Sequence, residues 1–374
     1  MDTKLTHPWL AKRTARFDSS GIRKMFALGA KFRDPINLSI GQPDFPVPES
    51  IKEDLCKSVN ENRNAYTSTE GILQLRQKLA GMMDRQFGEN PHRRVLVTSG
   101  TSGALTLALM AMVNPGDEVI YFDPYFVMYP AIVELAGGVS VPIKNYPHFQ
   151  PDLDRLKAAI TPRTKMIILN SPSNPTGICC GENEMRQVAE LAAEKGICLV
   201  SDEIYSRFNY DTPHKSPASW NPNTIVIDGF SKSYAMTGLR IGFVHGPAEI
   251  IDAMAELQQF TFVNAPSPVQ WAAIGALDLD MHAEVDRYRQ KRNALIEGLQ
   301  RHYEIEAPGG AFYAFPKLPR GFSGEAFLQK AIEHEMLVIP GTVFSQSDSH
   351  FRISYAVDDR TLERGIDVLV KMAK

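Results

Sequence analysis

The chain has 374 residues, 44% of them hydrophobic, and a formal net charge of −3. That length supports a large core and two or three domains, and the near-neutral charge without a long basic run excludes a polyanionic partner such as nucleic acid. No stretch approaches the roughly 18 apolar residues of a membrane span, and the N-terminus has no apolar signal core, so a soluble cytoplasmic protein is expected.

From about residue 95 strands and helices alternate. Residues 95–98 read as a strand and 104–113 as an apolar helix, followed by the turn Asn114-Pro115-Gly116-Asp117. Residues 118–122 read as a strand, and a helical stretch from Phe126 stops at Gly137-Gly138, as glycine stops helices. Next come a buried strand over 164–169, a helix over 182–194 closed by Lys195-Gly196, a strand over 197–200 and a β-branched strand over 224–228. This alternation predicts an α/β fold with a mostly parallel central sheet flanked by helices, and ligands at the carboxyl ends of its strands. Beyond about Asp280 a long charged helix runs towards Arg301. Strands are expected at 311–315, 336–339 and 351–355, with helices from Ser323 and Asp359. That is a smaller α+β unit, onto which the first 40 or so residues are expected to dock. The domain boundaries expected are 1–45 and 281–374 for the small unit and 46–280 for the large one.

The chemistry sits at strand ends. Ser99-Gly100-Thr101-Ser102-Gly103 opens a helix, where backbone N–H groups and hydroxyls make an anion site. By itself it is also an ordinary helix cap. Asn170-Ser171-Pro172-Ser173-Asn174-Pro175-Thr176-Gly177 is stiffened by its prolines, so Asn174 can be aimed with little entropic cost. Asp202 ends an apolar strand and needs a cation, with Tyr205 close by. Lys232, in Gly229-Phe230-Ser231-Lys232, suits a Schiff-base lysine, and Arg240 lies eight positions on to hold a phosphate. Arg352 lies inside the apolar strand Phe351-Arg352-Ile353-Ser354-Tyr355 and must find an anion there. The set calls for a ligand with a phosphate, a ring cation and a reactive carbonyl, which pyridoxal 5′-phosphate (PLP) supplies. Cys56, Cys179, Cys180 and Cys198 have no metal-ligand spacing, so no metal is expected.

These segments, with Leu38-Ser39-Ile40-Gly41-Gln42-Pro43-Asp44-Phe45, Tyr66-Thr67-Ser68-Thr69-Glu70-Gly71 and Asp123-Pro124-Tyr125-Phe126-Val127-Met128-Tyr129, resemble the class I/II aminotransferases of PLP fold-type I over nearly the whole chain. The resemblance implies a large PLP-binding domain and a small domain built from both termini. It implies that Lys232 carries the cofactor as an imine and then moves the proton at the substrate Cα. Asp202 pairs with the pyridine nitrogen, Tyr205 and Asn174 bond the ring oxygen, and Phe126 stacks on the ring. Gly100, Thr101, Ser102, Ser231 and Arg240 surround the phosphate, and Tyr66 reaches the phosphate of a neighbouring subunit in a homodimer. Arg352, with the Gly41 backbone and Asn174, binds the substrate α-carboxylate. Two departures stand out: Gly229 occupies a position where many relatives have serine, and Thr101-Ser102-Gly103 lacks a longer polar side chain.

The activity implied is ping-pong transamination between an amino acid and a 2-oxo acid. The same residues also suit β-elimination or aminocyclopropane-carboxylate synthesis. A fold kept as an amino acid sensor would carry an added helix-turn-helix domain, for which this chain has no spare residues. The substrate side chain is not legible. Arg13, Arg16, Arg23 and Lys24 are candidates for a second carboxylate and equally for solvated surface charges; the resemblance implies an early segment that covers the site, which singles out Gly21-Ile22-Arg23.

Overall fold

Runs of Val, Ile and Leu that are apolar at every position need cover on both faces. The computed structural model describes residues 7–11, 13–14, 21, 25, 29–30 and 32–373. After a two-residue β1 (Ile36–Asn37) come β2 (Arg93–Thr98), β3 (Glu118–Asp123), β4 (Val139–Lys144), β5 (Thr164–Asn170), β6 (Cys198–Asp202), β7 (Ile225–Gly229) and β8 (Gly242–Pro247). The last seven form one sheet in the order β2-β8-β7-β6-β5-β3-β4. It is parallel except for β8, which runs antiparallel to both β2 and β7.

The register decides where the chemistry goes. Thr98 and Gly229 both pair with Gly242, Asp202 pairs with Ile227, and Asn170 with Asp202. The carboxyl ends of β2, β5, β6 and β7 therefore share one rim with the start of β8, and the loops beyond them converge there.

Helices α1 (Glu49–Asn60), α2 (Leu73–Phe87), α3 (Gly100–Met112), α4 (Met128–Leu135), α5 (Leu153–Ala159), α6 (Glu182–Lys195), α7 (Ala248–Thr261) and α8 (Ser267–Ala276) cover the sheet. Leu105, Leu109 and Met254 pack on Ile168 and Val200 in one cluster, while Leu156 and Val188 pack on Ile120 and Leu199 in another. Each such fully buried side chain contributes about 1.5–3 kcal/mol. Gly196 closes α6 in the left-handed conformation at φ +63°, as the sequence predicts.

Beyond the seven-stranded sheet lie α9 (His282–Leu299), β9 (Tyr313–Ala314), α10 (Gly324–Glu333), β10 (Met336–Leu337), β11 (Ile339–Pro340), β12 (Phe351–Ser354) and α11 (Asp359–Met372). The strands here differ from expectation in two places. The run over 336–339 is broken at Val338, because β10 pairs parallel with β1 whereas β11 pairs antiparallel with β12. The run over 311–315 keeps only two strand residues, since Ala311 has φ +53° and its N–H bonds Phe208 rather than a strand partner. Helix α4 starts two residues after Phe126, leaving that ring in a turn whose Tyr125 N–H donates to the Phe344 carbonyl at 2.8 Å. Among the N-terminal residues described, Met25 packs with Phe315, Ile339 and Phe344 of the small unit. No described helix is long and apolar enough to cross a membrane.

Candidate active site

Lys232, Asp202, Tyr205, Asn174, Arg240 and Arg352 line one cavity of about 270 Å³, and Gly41, Thr101, Ser102, Phe126 and Ser231 complete its wall. Lys232 lies just beyond β7 and donates to the Gly41 carbonyl at 2.6 Å. Burial, then the charges of Arg352 and Arg240, push its amine down to about 8, with Asp202 working the other way. Part of the amine population is therefore neutral and nucleophilic at neutral pH.

Asp202 is buried at the end of β6. It accepts from the Tyr129 hydroxyl at 2.8 Å and, more weakly, from the Ile204 N–H at 3.4 Å. No cation ion-pairs with it among the described residues. Burial lifts its carboxyl to about 6 in spite of the Tyr129 bond. A buried acid in this state is poised to receive a cation.

Arg352 is only 1% exposed. Its guanidinium donates to Asn174 Oδ1 at 3.0 Å and to the Ser39 carbonyl at 2.7 Å, and lies between the rings of Tyr313 and Phe344 at 4.5 and 4.7 Å. It meets no carboxylate among the described residues, and its Nε–H has no partner. An arginine buried with a donor unused is suited to receive an anion from outside.

The end of the cavity at Arg240 depends on glycine. Gly100 has φ +71°, and a Cβ there would lie 2.7 Å from Arg240 Nη2. The arginine therefore lies over the backbone at the start of α3, held by a 2.8 Å bond from Nη1 to the Thr237 carbonyl. The departure at Gly229 has a steric reason. A Cβ at Gly229 would meet Gly242 Cα at 3.0 Å and Thr101 Cγ2 at 3.2 Å, so a serine would press on the β7–β8 pair and the α3 start.

Two straps hold the walls. Asn170 accepts from the Asn174 N–H at 2.9 Å and donates to the Asp202 carbonyl at 2.9 Å, coupling the ends of β5 and β6. The 38–45 segment offers backbone carbonyls to both Arg352 and Lys232. It is pinned at Asp44, whose carboxylate meets the buried Lys291 ammonium and accepts from Tyr288 at 2.5 Å.

Sequence reasoning missed Asn170, Ile204, Thr237 and Tyr313 as lining residues, and Tyr129 as the partner of Asp202. Asn170 is the last residue of β5, a polar group at the end of an apolar strand and so a usable signal, but nothing local marks Tyr313, which stands in an apolar run. Tyr66 is 85% exposed and does not line this cavity; it borders a second pocket with Trp271 and Arg63. Arg13 is exposed, whereas Arg16, Ile22, Arg23 and Lys24 lie outside the described residues.

The family model for aminotransferase class I and II matches residues 33–369. The aspartate/prephenate aminotransferase of Thermus thermophilus is 36% identical over 89% of this chain and 90% of that protein. Aromatic-amino-acid aminotransferase 2 of Thermococcus litoralis is 33% identical over 98% of each. A solved structure of the Thermus thermophilus aspartate aminotransferase with maleate superposes with a TM-score of 0.91 at 33% identity, covering 98% of this chain and all of that one. With its sheet order, its rim of strand ends and these relatives, the chain belongs to the class I and II aminotransferases.

Proposed function

We propose that the protein is a PLP-dependent aminotransferase that moves an amino group between an amino acid and a 2-oxo acid by a ping-pong mechanism. The observation that carries this reading is a single cavity holding a lysine of lowered pKa together with a buried acid and a buried arginine that meet no opposite charge in an ion pair among the described residues. The residues fit the cofactor. The Gly100 turn and Arg240 make room and charge for a phosphate, and Asp202 matches a protonated ring nitrogen. When bound, PLP supplies a carbonyl for condensation with amines and a cationic ring that takes up electron density from the substrate Cα.

The chain's own residues do the rest. Asp202, held in place by Tyr129, would face the ring nitrogen and keep it protonated. Phe126 would cover the ring, and Tyr205 and Asn174 would donate to its oxygen. Thr101, Ser102 and Ser231 would hold the phosphate together with Arg240 and the Gly100 backbone. Arg352 would take the substrate carboxylate as a planar fork, with Asn174 and the Gly41 backbone beside it. The Lys232 amine would serve as the base that accepts the substrate Cα proton.

Tyr66 is proposed to serve the phosphate site of a second copy. Its exposure, with Leu73 at 55%, Phe260 at 84% and Phe262 at 43%, supports a homodimer face on this side of the large unit. The remaining site roles, the division at about residues 45 and 280 and a cytoplasmic location are proposed with it. The test is direct. Borohydride treatment of the PLP-loaded protein should fix the cofactor on Lys232, and a panel of amino donors and 2-oxo acids should show exchange that Lys232→Ala abolishes. Near-normal exchange by Lys232→Ala would sink the reading. Pyruvate and ammonia release from a donor with a β leaving group, outpacing transamination, would favour elimination instead.

A further inference from the structure

Tyr205 and Tyr313 are both enclosed, and among the described residues each phenolic oxygen has the other as its hydrogen-bond partner, at 2.8 Å. Two phenols carry two protons, and one O–H···O bond uses one of them. The second proton has no acceptor in the described chain, and both side chains line the cavity. The surroundings decide which phenol keeps it. The Tyr313 ring lies 4.5 Å from the Arg352 guanidinium, and its oxygen lies so close to the Gly41 backbone that a Cβ there would be 2.6 Å away. Tyr205 instead follows Asp202 at the end of β6, with its ring edge-on to Phe312 at 5.4 Å. Burial lifts both phenols above their ordinary value, Tyr205 far above it with its contact to Tyr313 adding to the rise; Arg352 opposes the rise at both and stands second only to burial at Tyr313. The more acidic phenol is the better donor.

We propose that Tyr313 is a positioning residue that donates its proton to Tyr205, so that the Tyr205 O–H turns into the cavity as a donor to the cofactor's ring oxygen. The inference rests on the functional reading above, in which Tyr205 meets that oxygen. A hydroxyl that accepts one hydrogen bond donates the next more strongly, so the pair acts as a relay. Charge drawn from the ring oxygen loosens the proton on the adjacent Lys232 nitrogen. Arg352 from β12, Arg240 from the loop before β8 and Asp202 from β6 also act on that nitrogen, and all three stay in place in the variants.

The experiment follows the visible absorption of the PLP-loaded protein across pH. It compares the native chain, Tyr205→Phe, Tyr313→Phe and the double variant. Tyr205→Phe should raise the midpoint. Tyr313→Phe should raise it by less, tightening the proton about two- to tenfold, and should add nothing when Tyr205 is already Phe. As a second probe that keeps the shape, 3-fluorotyrosine at position 313 is a stronger donor and should lower the midpoint. The relay is overturned if Tyr205→Phe moves the midpoint and neither change at 313 does. It is equally overturned if Tyr313→Phe raises KM for every amino and 2-oxo acid at an unmoved midpoint, which would place the hydroxyl on the substrate carboxylate. If no variant moves the midpoint, the role given to Tyr205 fails and the relay falls with it.

Discussion

Without its cofactor the protein should be destabilised by Lys232, the residue proposed to carry the cofactor. Burial and two arginines take the Lys232 amine from 10.5 to about 8 in the folded chain. Between those values the unfolded chain binds the proton and the folded chain does not, so stability rises with pH across the window. Below about 8 the folded protein must hold a charged amine next to Arg352 and Arg240. The shift corresponds to about 3 kcal/mol. The amine borders the open cavity, and screening there reduces the figure to about 2 kcal/mol. Lys232→Met keeps the length and removes the charge, but forfeits the 2.6 Å bond to the Gly41 carbonyl, worth about 1 kcal/mol. The cofactor-free variant should therefore be about 1 kcal/mol more stable than the native chain at pH 7. By pH 10.5 the advantage should be gone, leaving the variant about 1 kcal/mol less stable. Urea unfolding followed by tryptophan fluorescence, at one protein concentration and both pH values, measures this. A variant that is less stable at pH 7, or whose difference from the native chain is the same at both pH values, refutes the argument.

Three further outcomes are expected. Arg352→Lys should weaken every amino and 2-oxo acid by about 1.5–3 kcal/mol, roughly 10- to 100-fold, because the bidentate fork is lost while all substrates share the carboxylate. Decarboxylated amines should be indifferent, and a loss confined to one substrate would assign Arg352 another task. Asp202→Asn should retain PLP but slow exchange of the Cα proton. In the cofactor-free protein it should also remove a fall in stability as pH rises from 3.8 to about 6, the window in which the folded chain holds a proton that the unfolded chain has released. Loss of PLP without a slowed proton step would make Asp202 structural. Mixing an inactive Tyr66 variant with an inactive Lys232 variant should restore part of the activity through hybrid dimers. Demonstrable hybrids that stay inactive would confine each site to one chain.

The local pattern of the chain determined its elements and marked most of the polar side chains that line the cavity. β-branched runs and glycine stops located β3, β5, β6, β7 and the end of α6, because burial on two faces and the left-handed turn at Gly196 are properties of neighbouring residues. Lys232, Asp202, Asn174 and Arg352 were legible for the same reason, since a charge or a stiffened amide at the end of an apolar strand is conspicuous in its own context. Tertiary structure alone decided who meets whom. Lys232 bonds a carbonyl 191 positions away, Arg352 one 313 away, and Tyr205 a phenol 108 away. The antiparallel course of β8, the switch of sheets at Val338 and the steric need for Gly229 likewise come from strands brought together across the fold. Periodicity in a sequence reports that a side chain is buried and on which face. It holds no record of its partner, because contacts between distant segments leave no spacing behind.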